Sequence, residues 1–154
     1  MLIRRASTSD ILILCDLYTK FYKHNSSQQP EFCLPAVETG GYPNSVICGS
    51  TGVVFVAEDN SRLCGFIHAE IDNTPPYPSV AQHRFVSVVD LCVEPDCRRR
   101  GIATELVNSV KTWAKQSGAG YLELFVLNEK RRRIGILQRN SIFEIASLTM
   151  RCKL

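Results

Sequence analysis

Residues 85–106, FVSVVDLCVEPDCRRRGIATEL, constrain the fold more than any other stretch of the chain. Residues 85–93 form a long, mostly apolar run of strand type, and Pro95 turns the chain. Three arginines then meet Gly101, and Ile102, Leu106, Val107, Val110, Trp113 and Ala114 recur on one helical face. Strand, turn and helix make one unit, with Gly118 just past the helix and a further strand-type run at residues 121–126. Three adjacent like charges repel, and glycine beside a helix start costs backbone entropy. A helix N-terminus, however, leaves backbone N–H groups unpaired at the positive end of its dipole, and glycine lets an anion approach them. The stretch reads as a seat for a pyrophosphate. The plainer alternative is a solvated basic turn capping an ordinary helix.

Other segments read less sharply. Residues 2–6 are a short extended start, and Ser7, Thr8 and Ser9 offer N-caps before Asp10 in a first helical turn. Leu14, Leu17, Tyr18, Phe21 and Tyr22 then recur at three- and four-residue steps, the mark of an amphipathic helix. Residues 25–50, rich in Ser, Gln, Pro and Gly, are expected to be loop with a short helix. A hairpin follows, VVFVA and LCGFIHAEI around the turn Glu58-Asp59-Asn60-Ser61, then a stiff loop containing Pro75-Pro76-Tyr77-Pro78. A helix over residues 131–139 and a last strand over residues 143–151 complete the prediction. This order gives an α/β domain with a mixed sheet, not a doubly wound parallel one.

A length of 154 residues suits one domain, 1–154, with a real core. The net charge of +3 admits an anionic ligand but does not announce a nucleic-acid partner. No apolar run reaches membrane-spanning length, and the N-terminus lacks a secretory pattern. The seven cysteines are odd in number, scattered and without a CxxC pair, which points to neither a zinc site nor a disulfide framework. A reduced, cytoplasmic protein is expected. His24, His68 and His83 stand apart, support no metal site, and read as surface or packing residues.

Arg98-x-x-Gly101-x-Ala103, directly after DLCVEPD and before an amphipathic helix, resembles the acyl-coenzyme A binding motif of the GNAT N-acetyltransferase superfamily. IRRASTSD with the LCDLYTKFYKH helix, the VVFVAEDNSRLCGFIHAEI hairpin and FEIASLTMRCKL also resemble that family's elements, in its order. The resemblance implies the GNAT fold: a mixed, mostly antiparallel sheet flanked by helices, with a splayed parallel central strand pair. It implies acetyl-coenzyme A as cosubstrate, an amine as acceptor, and the homodimers common among such domains. Backbone groups of Arg99, Arg100, Gly101, Ile102, Ala103 and Thr104, with Arg98 beside them, would hold the pyrophosphate. Leu91, Cys92 and Val93 would pair with the pantetheine arm as a neighbouring strand does. A backbone N–H near Val93 would stabilise the oxyanion of the tetrahedral intermediate.

Acetyl transfer to an amine poses two proton problems. A lysine-type amine has a pKa near about 10 and must attack as the free base, and the departing thiolate takes up a proton. Glu123 matches the position of a glutamate base in some family members, and Asp90 is a second candidate; for each, a carboxylate on the solvent face of a half-buried strand is the plainer reading. The family's tyrosine acid is not matched: its position falls on Gln138 or Leu137. That departure leaves open a second function, a GNAT-fold module that binds coenzyme A with weak or no turnover. Lys130-Arg131-Arg132-Arg133 is read as a solvated helix face. The acceptor would be shaped by residues 14–50 and 72–82, which do not identify it.

Overall fold

A computed structural model of the chain describes residues 1–125 and 143–147. Two compact units are distinguished, Met1–Leu124 and Phe125–Leu154. In the first, β1 (Leu2–Arg5), α1 (Ile11–Gln28), α2 (Gly41–Cys48), β2 (Gly52–Asp59), β3 (Arg62–Asn73), β4 (Arg84–Val93), α3 (Ile102–Gln116) and β5 (Tyr121–Leu124) follow one another. The five strands form one sheet in the order β1-β2-β3-β4-β5, antiparallel up to β4 and parallel between β4 and β5. The change follows from the connections: short turns and loops join antiparallel strands, whereas the crossover through α3 returns β5 in the direction of β4.

Both sheet faces are buried. Val54, Val56 and Phe66 pack with Leu14, Leu17 and Tyr18 of α1 and Val46 of α2. The alternate strand residues Val53, Ala57, Ile67, Ala69, Val86 and Val88 are buried as well, and α3, which contacts β2, β3 and β4, buries Ile102, Leu106, Val107, Val110 and Ala114. The helix α1 outruns the expectation of loop from residue 25. Ser26 and Ser27 return their hydroxyls to the carbonyls of Lys23 and His24 at 2.9 and 2.7 Å, and the first true breaker is Pro30.

In the second unit, residues 143–147 carry no regular secondary structure, contrary to the strand expected there; residues 144–147 are all exposed, so the apolar pattern that suggested a strand buries no face. The rest of that strand, the helix expected over residues 131–139, Leu137, Gln138 and the Lys130–Arg133 run lie outside the described residues.

Arg4 fastens β1 to the start of α1. Its guanidinium spans both Asp10 carboxylate oxygens at 2.8 Å, and its Nε donates to Glu58 at 2.8 Å. Asp10 also accepts the Ser7 backbone N–H at 2.8 Å, closing the turn before the helix. Hydrogen bonding from Arg4, ahead of that from Ser7, lowers the Asp10 carboxyl to about 2 although burial opposes it. A depressed carboxyl adds stability that is complete above the ordinary aspartate range and is lost as pH falls through the folded value. Asp10→Asn is expected to cost about 2 kcal/mol at neutral pH in urea unfolding, and the deficit should shrink as pH approaches 2.

Candidate active site

The end of β4, the turn after it and the first turn of α3 form a shaped concavity. Arg99 has φ +62° and Gly101, the residue capping α3, has φ +79°. Left-handed residues alternating with ordinary ones turn successive amides toward one side, the arrangement of an anion nest. No side chain caps the helix, and its first backbone bond runs from Glu105 N–H to the Gly101 carbonyl at 3.1 Å. The amides of Ile102, Ala103 and Thr104 therefore have no partner among the described residues. A Cβ on Gly101 would meet nothing within 4 Å, so the approach is open.

The basic run is divided in its work. Arg100 donates to Asp59 at 2.7 Å, tying the seat to the β2–β3 turn, and Arg98 Nε donates to the Val93 carbonyl at 3.0 Å. Arg62 braces the same turn through Asp96 at 2.6 Å, and Glu94 is held by Lys20 at 3.0 Å. Of the three adjacent arginines, Arg99 alone has no hydrogen-bond partner among the described residues, and it is the one with the left-handed backbone.

Beside the seat, the described β4–β5 ladder runs from Phe85↔Tyr121 to Val88↔Leu124. On the other side, β4 pairs Val88 with Ala69 and Asp90 with His68, leaving Val89 as the extra residue of a bulge. Beyond it, Asp90, Leu91, Cys92 and Val93 pair with β3, and no strand among the described residues continues along their other edge. A Cβ on Gly65 would lie 2.5 Å from the Cys92 carbonyl oxygen and 3.1 Å from Val93 Cα. Only glycine lets β3 approach that closely, so Gly65 sets where that edge lies.

Register and alternation put His68, Glu70 and Asp72 of β3, Ser87 and Asp90 of β4, and Glu123 of β5 on the sheet face where α1 and α2 pack. Glu123 lies opposite Ser87, within the described β4–β5 ladder; Asp90 lies past the bulge, beyond the last described pair of that ladder. The Asp90 side chain is 14% exposed. Tyr18 is fully buried here, and its hydroxyl has no partner among the described residues. Burial, then the nearby Asp90, pushes up the phenols of Tyr18 and Tyr42; Tyr22, which donates to Glu38 at 3.3 Å, rises to about 12 through burial and then Glu38. None of Glu38, Glu70, Asp72, Asp90 or Glu123 lies within ion-pair distance of a lysine or arginine among the described residues. Tyr121 stacks on Phe85 at the start of β5.

Sequence reasoning missed His68. It is wholly buried, with Nδ1 3.0 Å from Tyr42 Oη and 3.7 Å from Asp90 Oδ2, and Nε2 3.1 Å from Glu70 Oε1. The signal was the pattern His68-x-Glu70 in an alternating strand, which puts both side chains on one face. Its meaning depended on a register that brings Asp90 alongside.

A sheet that opens between a parallel pair, with an anion nest at the mouth of the opening, is the architecture that the resemblance implied. The family model for the acetyltransferase (GNAT) family matches residues 13–140, and the chain belongs to that family. It is 29% identical over 85 residues to the uncharacterized N-acetyltransferase MJ1207 of Methanocaldococcus jannaschii, covering 55% of this chain and 36% of that relative, so it spans only about a third of that protein. Among solved structures, a mutant of the BH1408 protein from Bacillus halodurans has the same fold, with a TM-score of 0.91, 20% identity and 100% and 99% of the two chains covered. The aminoglycoside N-acetyltransferase AAC(6')-Iy, crystallised with CoA, superposes at a TM-score of 0.74 with 16% identity over 99% of each chain. No helix among the described residues is long and apolar enough to cross a membrane.

Proposed function

We propose that the protein transfers an acetyl group from acetyl-coenzyme A to a primary amine of a small molecule or peptide. The observation that carries this reading is the juxtaposition of unpartnered amides at the mouth of α3 with the edge of β4 beyond its described pairs with β5. Amides of residues 99–104 take the diphosphate, with Arg98 and Arg99 supplying positive charge. Leu91, Cys92 and Val93 offer strand-like hydrogen bonds to the amide-bearing arm, and the coenzyme, when bound, supplies the activated acyl group. Asp90, at the start of that edge, takes the proton from the attacking amine. Glu123, one pair further along, holds the amine's approach. The unpaired carboxylates on this face support a cationic acceptor, which agrees with an acetyltransferase of aminoglycosides sharing the fold.

Free-thiol release from acetyl-coenzyme A across mono- and polycationic amines, beside a thermal shift with coenzyme A, tests the reading. Stabilisation with release is the expected result. Stabilisation without release would make the protein a coenzyme A-binding module. Neither would remove the proposal altogether.

A further inference from the structure

The fully buried His68 faces three titratable groups from three directions, with a fourth close by. Tyr42 approaches from α2, Asp90 from β4 and Glu70 from two residues along its own strand, while Tyr18 of α1 brings its unpartnered hydroxyl to the same cluster. On β2 the residue opposite is Val54, which is apolar. No lysine or arginine among the described residues pairs with Asp90 or Glu70. A neutral imidazole here has one bare nitrogen. With the ring proton on Nε2, toward Glu70, the single Nδ1 lone pair accepts from the Tyr42 hydroxyl at 3.0 Å, and Asp90 Oδ2 stands 3.7 Å from the same nitrogen. The Nε2–Glu70 contact of 3.1 Å is short but out of line for a hydrogen bond. It becomes a charge-assisted contact once the ring is positive.

We infer that His68 is a positioning residue that stores the amine's proton behind Asp90, with Glu70 countering the imidazolium. This rests on the acetyl transfer proposed above. In that reaction the amine nitrogen bonds to the acyl carbon, the carbon–sulfur bond breaks, and one N–H proton must go elsewhere. Asp90 receives it and passes it to His68 Nδ1, which becomes imidazolium between two carboxylates. The thiolate leaves with the coenzyme and takes its own proton from water. When product departs, the stored proton returns through Asp90 to solvent, and the ring regains its starting tautomer. The Asp90 and Glu70 carboxylates on either side of the ring offset the positive charge that the stored proton brings. The ring does not touch substrate, because it is wholly buried.

The test uses His68→Gln, which keeps a hydrogen-bonding side chain of similar reach but holds no proton, and Glu70→Gln, whose side chain is 42% exposed and so tolerates change. His68→Gln is expected to lower kcat on the order of 100-fold, and Glu70→Gln on the order of 10-fold, with KM for the amine within about threefold in both. The acid limb of log(kcat/KM) should lose about one unit of limiting slope in His68→Gln, since one fewer group must be unprotonated. Stabilisation by coenzyme A should be unchanged. A folded His68→Gln protein with wild-type kcat and an unaltered acid limb overturns the inference while leaving the acetyltransferase reading intact. If His68→Gln fails to fold, wild-type kcat in Glu70→Gln overturns it in its place. Absence of thiol release by the wild type with every amine overturns the reading on which it rests.

Discussion

Gly101→Glu is expected to weaken coenzyme A binding by more than 100-fold, or about 3 kcal/mol, while the chain still folds. Two effects add. A side chain at φ +79° is strained by about 1–2 kcal/mol, the cost of a left-handed backbone for an L-residue. The carboxylate then enters open space at the positive end of α3, where the amides of Ile102, Ala103 and Thr104 have no partner, and takes the place meant for phosphate. Since no atom lies within 4 Å of the new Cβ, the loss does not come from a clash. Gly101→Ala separates the effects. It carries the strain without the charge, and should lose about 1 kcal/mol of stability in urea unfolding while keeping affinity within about tenfold. Titration calorimetry with coenzyme A decides the matter, and an unchanged Kd for the glutamate variant would mean that the phosphates sit elsewhere.

The turn at the mouth of α3 was readable from the chain because everything that shapes it is local. Gly101 falls where strand gives way to helix, and the amides it exposes belong to the next three residues. The strands β2, β3 and β4 and the helix α3 were legible for the same reason, since their patterns lie within a single segment. What escaped was non-local or cooperative. The β4 bulge at Val89 has no signature in FVSVVDLCV; it arises from pairing with β3, where Ala69 meets Val88 and His68 meets Asp90. The end of the parallel ladder at Leu124 is likewise a property of two strands at once. Arg100 reads as part of a uniform basic run until its partner Asp59, far off in sequence, is brought beside it. The short helix α2 hides in a stretch rich in Gly, Pro and Ser, because its Pro43 lies in the first turn, where a missing N–H costs nothing. From that helix Tyr42 reaches His68, which is why a histidine that looked isolated is not.

Asp90→Asn should reduce kcat by about 10²- to 10⁴-fold, the span expected when a general base is lost, with coenzyme A binding unaffected. Glu123→Gln should cost only about tenfold, and mainly in KM. The distinction rests on position: Glu123 sits opposite Ser87 where β4 is paired on both sides, whereas Asp90 stands past the bulge, beyond the described β5 pairs, with an imidazole behind it. Asparagine preserves size and polarity, so the loss reports on the proton and not on packing. If His68 acts only through Asp90, the double variant Asp90→Asn/His68→Gln should be no slower than Asp90→Asn, because removing the first carrier silences the second. Losses that multiply would instead give the histidine a route to the amine that bypasses the carboxylate. Such a route would require Tyr42, whose hydroxyl is the nearest group to Nδ1, to carry the proton.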